Sequence, residues 1–140
     1  MFNTILMALK FAPASKFALT RGVELAKTHD AELHIFHAMD YVLAELDESD
    51  PRLIEEKSKA ENYFLANIKP LVEDLGNVTF KCMPADPALE VCRQAIQLKA
   101  DLIILGCHQI MEKISLGRVD YVGITILEKA PCPVMLVPLS

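Results

Sequence analysis

The stretch DLIILGCHQIMEKISLGRVDYVG, residues 101–123, opens with an unbroken apolar run at residues 102–105. Such a run is typical of a parallel strand that is covered on both faces. The run ends at Gly106, where a phosphate-holding loop would begin. The next glycine is Gly117, so few backbone N–H groups are free to converge on a phosphate there. The stretch therefore predicts a buried strand of an α/β sheet followed by a poor phosphate cradle.

Outward from this strand, the chain alternates short apolar runs with helical patterns. Strands are predicted at residues 4–9, 31–38, 77–86, 102–105 and 134–137, and helices at 15–30, 52–76, 86–100 and about 120–129. Ser15 is expected to be the N-cap of the first helix, and Pro70 is expected to kink the second. Asp86 followed by Pro87 is a strong start signal for the third.

This alternation predicts a single domain over residues 1–140, an α/β fold in which helices cover both faces of a five-stranded parallel sheet. In such a three-layer α/β/α sandwich, ligands bind beyond the carboxyl ends of the strands. Lys10, His37 and His108 fall at the ends of the first, second and fourth predicted strands. They could line one crevice and take a small anion, but the commoner role of such residues is that of solvated polar side chains at strand ends.

The composition excludes several function classes. The chain has 140 residues, is 52% hydrophobic and carries a formal charge of −5 without a basic cluster, which argues against direct nucleic-acid binding. No apolar run reaches membrane-spanning length and no export signal is present, so a cytoplasmic protein is expected. The four cysteines (Cys82, Cys92, Cys107 and Cys132) form no C-x-x-C pair and are expected to be reduced thiols.

No catalytic or metal site is predicted. There is no G-x-S-x-G elbow, and no base can be assigned to Ser115. His34 and His37 are three residues apart on a predicted strand and so point to opposite faces, which disfavours a shared metal. Cys107 at the rim of the crevice would be redox-sensitive if Lys10 or His108 lowered its pKa, although a small hydrophobic role is more common.

Four segments carry a resemblance to a known family. These are TILMAL (4–9), AELHIFHAMD (31–40), ADLIILG with its following loop (100–106) and APCPVMLVP (130–138). In this order and at this length they resemble the universal stress protein family over essentially the whole chain. The resemblance implies a universal stress protein or adenine nucleotide alpha hydrolase-like fold, with strand order 3-2-1-4-5 and dimerisation through the last strand.

The ATP-binding members of that family carry an aspartate after the first strand, then a G-x-x-G loop and a later glycine-hydroxyl pair. This chain has Lys10 at the aspartate position and Gln109 at the second glycine, and Gly117 comes early and is followed by Arg118. Its GCHQ segment is similar to the G-H-H-Q loop of the universal stress protein A subgroup, which is associated with loss of ATP binding. A side chain at Gln109 also restricts the backbone geometry that a phosphate nest needs.

The resemblance therefore implies a non-enzymatic, homodimeric stress-response protein of the A type with a degenerate nucleotide-binding loop, no cofactor and an unspecified protein partner. The alternative is a sensor of AMP, ADP, ATP or a small anion that uses a remodelled loop. The residues expected nearest to such a ligand are Lys10, His37, Ala38, Gly106, His108, Gln109 and Gly117.

The last strand is expected to form the dimer interface, through Val134, Met135, Leu136 and Val137. An apolar edge strand is an aggregation liability unless it is paired, and a two-fold axis would pair it with its own copy. Pro133 and Pro138 bracket the strand and would limit further growth. Met135→Pro is expected to remove a ladder donor and disrupt this interface.

Overall fold

The computed structural model describes residues 1–107 and 121–138 of the chain. The strands are β1 (Thr4–Ala8), β2 (Glu32–Met39), β3 (Val78–Pro84), β4 (Leu102–Cys107) and β5 (Val134–Pro138). The helices are α1 (Lys16–His29), α2 (Pro51–Tyr63), α3 (Lys69–Val72), α4 (Pro87–Leu98) and α5 (Tyr121–Lys129). Short 3-10 helices cover Pro13–Ser15 and Tyr41–Glu45.

The five strands form one parallel sheet in the order β3-β2-β1-β4-β5, which confirms the predicted topology. Each predicted strand is present, with ends that differ by at most a few residues. Strand β2 runs on to Met39, so His37 and Ala38 lie within the strand and not just after it. Because adjacent residues of a strand point to opposite faces, these two side chains are separated by the sheet.

Two hydrophobic cores lie on the two faces of the sheet, as expected for a three-layer sandwich. One face packs against α1 and α3, with Ile5, Met7, Leu33, Ile35 and Ile104 at its centre. Helix α1 approaches this face closely at Gly22, where an added Cβ would collide with Met7. The other face packs against α4 and α5, around Leu6, Phe36, Val91, Ile103 and Ile126.

The long helix predicted at residues 52–76 is interrupted. It runs as α2 to Tyr63, continues as a π-helix over Phe64–Ile68 and resumes as α3. Lys69 donates its N–H to the carbonyl of Phe64, five residues back. Pro70 has no N–H to donate, and the wider π register carries the helix across it. The disturbance predicted at Pro70 is thus a π-turn that precedes the proline.

The predicted helix caps have different outcomes. The Asp86 side chain accepts hydrogen bonds from the backbone N–H groups of Ala88 and Leu89, at 3.0 and 3.3 Å, which confirms it as the N-cap of α4. Ser15 occupies the N-cap position of α1, but its side chain makes no capping hydrogen bond. The start of α1 therefore keeps a polar group that the helix does not use.

The ladder between β4 and β5 corrects the prediction for Met135→Pro. The N–H of Ile103 donates to the carbonyl oxygen of Pro133 at 3.0 Å, a distance typical of a sheet hydrogen bond. Alternate residues of a parallel strand direct both backbone groups to the same neighbour, so Met135 faces β4. Val134 and Leu136 present their N–H and C=O groups at the open edge. Met135→Pro would therefore remove a donor inside the sheet and not one at the edge.

None of the helices in the described ranges, 1–107 and 121–138, is long and apolar enough to cross a membrane.

Candidate functional site

Lys10 lies just beyond the carboxyl end of β1, where the crevice was predicted. Its side chain is exposed. Within the described part of the chain it makes no ion pair. Lys10 thus carries a positive charge at the rim of the sheet that no described residue pairs with.

His37 lies deeper, on the α1 face of β2. Its Nδ1 is 2.9 Å from the carbonyl oxygen of Leu9, and because a carbonyl only accepts, Nδ1 carries the proton and donates. Burial lowers the pKa of His37, and the hydrogen bond to Leu9 only partly offsets that effect. In the neutral ring Nε2 is an acceptor, so neutral His37 offers an anion no N–H.

His37 belongs to a group of stacked rings that we call the aromatic cluster: Phe11, His37, Tyr63, Phe64 and Phe80. Phe11 stacks on His37 with ring centroids 3.9 Å apart and on Tyr63 at 4.5 Å. Phe80 stacks on Phe64 at 4.3 Å and on Phe11 at 5.8 Å. The cluster joins the end of β1, the strands β2 and β3, and the junction of α2 with the π-helix.

The sequence reasoning missed the aromatic cluster. Its members are far apart in the chain, and the available signal was weak: an aromatic residue directly after β1 and an adjacent Tyr-Phe pair in the long helix. Stacked rings are stabilised beyond the burial of their area. The cluster therefore fixes α2 over β2 and β3 and occupies the α1 side of these strand ends.

Of the other predicted ligand residues, Ala38 and Gly106 lie in the described part of the chain. Ala38 packs on the opposite face of the sheet, against the core beneath α4 and α5. Gly106 lies within β4, paired in register with Val137. His108, Gln109 and Gly117, together with the side chain of Cys107, lie outside the described residues.

A cleft of about 390 Å³ opens between the start of α1 and the π-helix, and we call it the α1 cleft. Residues from both segments and from the end of β1 form its walls: Leu9, Lys10, Ala12, Pro13, Ser15, Lys16, Leu19, Tyr63, Ala66, Asn67, Ile68, Pro70 and Leu71. Tyr63 belongs both to this lining and to the aromatic cluster. Lys10 thus contributes directly to this cleft.

A smaller cleft of about 220 Å³ lies on the opposite face, beside α4, and is lined by His34, Thr79 and Lys81 among others. His34 is fully engaged there, with Nδ1 2.6 Å from the Thr79 hydroxyl and Nε2 3.2 Å from a Glu32 carboxylate oxygen. In residues 1–107 and 121–138, no group of three His, Cys, Asp or Glu side chains is arranged to hold a metal ion.

The three cysteines with described side chains are free thiols. Burial raises the pKa of Cys82, Cys92 and Cys132, so the protonated form prevails at neutral pH. Thiolate is the reactive form, which makes these three poor nucleophiles. They fit the core or near-core role expected of them.

Comparison with known proteins gives a match in sequence and several in structure. The sequence profile described as "Universal stress protein family" matches residues 1–138. No curated protein matches the chain by sequence.

Several solved structures share the fold. A universal stress protein in complex with cAMP has a TM-score of 0.67 at 16% identity, covering 99% of this chain and 98% of its own. A universal stress protein from Archaeoglobus fulgidus in complex with dAMP has a TM-score of 0.65 at 17% identity, covering 96% of each chain. Universal stress protein UspA from Lactobacillus plantarum has a TM-score of 0.65 at 21% identity, covering 96% of this chain and 97% of its own.

Proposed function

Because the chain belongs to the universal stress protein family, we propose that it is a non-enzymatic, homodimeric stress-response protein of the A type that does not bind ATP at its strand ends. The observation that carries this proposal is the state of the two groups at the ends of β1 and β2. Lys10 stands where the ATP-binding pattern has an aspartate, and His37 is neutral and stacked under Phe11.

An aspartate at the end of β1 would give a nucleotide a hydrogen-bond acceptor, whereas Lys10 has three donors and accepts nothing. His37 gives its one N–H to Leu9. The ring of Phe11, held between His37 and Tyr63, fills space beside the strand ends on the α1 face. These groups are poorly suited to recognise an adenosine in the way the ATP-binding pattern requires.

The homodimer is supported by the open edge of β5. At that edge, no strand of the described residues pairs with Val134 and Leu136, and no residue of β5 is charged. A two-fold axis at Met135 would place Val134 opposite Leu136 of a second copy, as a pair that exchanges two hydrogen bonds. The symmetry produces this pair twice, so one short strand satisfies both edges.

Calorimetric titration of the purified protein with Mg-ATP tests the absence of ATP binding. We expect no heat of binding in the micromolar range, and no adenine nucleotide released when protein purified without added nucleotide is denatured. Micromolar or tighter binding would contradict the proposal. In that case Lys10→Ala would show whether the lysine has become a phosphate ligand, because its loss would weaken binding.

The second candidate is a sensor of adenine nucleotides or small anions with a remodelled loop. Two structures of the same fold were solved with cAMP and with dAMP, which favours monophosphates over ATP as the nucleotides to test. Titration with AMP and cAMP under the same conditions separates the candidates. Saturable binding of either at micromolar concentration would favour the sensor over the non-binding A-type protein.

A further inference from the structure

We propose that the α1 cleft is a binding site for a phosphate monoester with a small apolar body. This site lies on the α1 face, between the start of α1 and the π-helix, and the proposal goes beyond the function assigned above. It does not depend on ATP binding or on dimerisation.

The charge of the cleft points to an anionic ligand. Lys10 and Lys16 are in its lining, and none of the described residues that line it is acidic. The chain as a whole has more acidic than basic residues, with a net charge of −5. Neither lysine has an ion-pair partner among the described residues. Two uncompensated cations at one cleft match a dianion such as a phosphate monoester better than a carboxylate.

The position of the cleft at the start of α1 adds to this charge. The N-terminus of a helix carries a partial positive charge, and acidic residues are usually favoured in the first turn. The first turn of α1 has none, and its first residue is Lys16. The arrangement concentrates positive potential where a protein would normally neutralise it. A bound anion would relieve that unfavourable arrangement.

Ser15 provides an independent sign of a polar ligand. Its residue is only 8% exposed, yet its hydroxyl makes no hydrogen bond to any described residue. In the described part of the chain, no side-chain oxygen or nitrogen that is sealed from solvent lacks a partner. The Ser15 hydroxyl must therefore retain its opening to the α1 cleft, which it lines. Water can reach the hydroxyl through this opening, and a phosphate oxygen of a bound ligand would replace that water as its hydrogen-bond acceptor.

The opposite wall selects the rest of the ligand. Ile68 and Leu71, across the cleft from α1, are apolar, and the lining also includes Tyr63 and the apolar Leu19 of α1. Asn67 donates its side-chain amide to the carbonyl of Tyr63 at 3.2 Å, which leaves its amide oxygen as an acceptor. A volume of about 390 Å³ holds a phosphate with a single ring or a short chain. π-turns are frequent at functional sites, and this one shapes the wall.

The experiment is an amide-resolved NMR titration of the ¹⁵N-labelled protein with phenyl phosphate, with benzoate and benzyl alcohol as comparison probes. We expect saturable shifts confined to residues 12–19 and 63–71, with phenyl phosphate bound tighter than benzoate and benzyl alcohol weakest. Raising the salt concentration should weaken the binding of phenyl phosphate and leave the binding of benzyl alcohol unchanged.

Two variants test the assigned groups. The double variant Lys10→Gln with Lys16→Gln should lower the affinity for phenyl phosphate about tenfold or more. The single variant Ser15→Ala should lower it about threefold or more. All three side chains are outside the hydrophobic cores, so the proteins should remain folded, which their spectra report. Lys81→Gln is the matched control, because it removes a lysine from the smaller cleft on the other face.

The proposal is overturned by equal binding of phenyl phosphate and benzyl alcohol, by shifts that map to the smaller cleft, or by an absence of saturable shifts in the millimolar range. It is also overturned if Lys81→Gln weakens binding as much as the double lysine variant. None of these results changes the expectation for Mg-ATP, which concerns the strand ends, so failure here and failure of the proposed function are distinguishable.

Discussion

The two edges of the sheet are protected in different ways. Strand β3, at one edge, carries Lys81 and ends at Pro84, and charged residues and prolines are common devices against edge-to-edge pairing. The 3-10 helix Tyr41–Glu45 also contacts it. Strand β5, at the other edge, consists of VMLVP with partly exposed Val134, Met135 and Leu136. The difference agrees with the proposal that β5, and not β3, pairs with a second copy.

Leu136→Pro is the substitution expected to have the largest effect on pairing through the β5 edge. The N–H of Leu136 faces the open edge, so proline would leave the β4–β5 ladder intact and remove a donor from the proposed dimer. Two donors are lost per dimer and two acceptors are left unpaired, which costs about 3 kcal/mol or more. We expect light scattering at tens of micromolar to show a dimeric wild type and a monomeric variant.

Leu136→Ala is the control for that experiment, because it shortens the side chain and keeps the N–H. It should stay largely dimeric. If Leu136→Pro dimerises as well as Leu136→Ala, the dimer does not use this edge. A wild type that is monomeric at tens of micromolar would also contradict the assignment.

Met135→Pro should act on the fold before it acts on the dimer. The N–H of Met135 faces β4, and its loss leaves the carbonyl of Ile103 without its ladder partner inside the sheet. We expect the free energy of unfolding to fall by about 2 kcal/mol, measured by urea denaturation at concentrations where the variants are monomeric. Leu136→Pro should lose clearly less under those conditions. Equal losses of unfolding free energy in the two variants would mean that the assignment of Met135, and not Leu136, as the residue that faces β4 is wrong.

His37, on the β3 side of the sheet, should make the free energy of unfolding depend slightly on pH. Folding lowers the pKa of His37 through burial, so the unfolded chain binds a proton more readily. The contribution of neutral His37 to stability is complete above the unfolded pKa of about 6.5 and is lost as the pH falls towards the folded pKa. The free energy of unfolding should therefore decrease as the pH is lowered from 7 to 5.

His37→Phe would keep a ring against Phe11 and remove the titration. Its unfolding free energy should change less between pH 7 and pH 5 than that of the wild type. A slope that survives in His37→Phe would assign the pH dependence to other groups.

The sequence predicted the sheet well because each strand can be recognised from its own short apolar run. The buried run at residues 102–105 and the alternation of strands with helices were enough for the element order, and the family resemblance supplied the strand order that the structure confirms. The Asp86-Pro87 start of α4 was equally local, since a cap is decided by a side chain and the N–H groups two and three residues on.

The candidate site was harder to predict because its contacts are long-range. Nothing near His37 in the sequence indicates that Phe11 stacks on it, and the two rings meet only after β1 and β2 have paired. The α1 cleft exists because the π-helix lies opposite Ser15 and Lys16. The edge preference of Met135 and Leu136 depends on the register with β4, which a one-residue shift would reverse.

The most direct test of the central claim, a dimer paired through β5, is an isotope-filtered NOE measurement on a mixture of ¹³C-labelled and unlabelled protein. With the two-fold axis at Met135, its Cα–H would face that of Met135 in the second copy, since pairs without hydrogen bonds bring these groups closest in an antiparallel ladder. We predict an intermolecular NOE between the two Cα–H groups of Met135. Intermolecular NOEs confined to another surface, or none in protein with the mass of a single chain, would contradict the account.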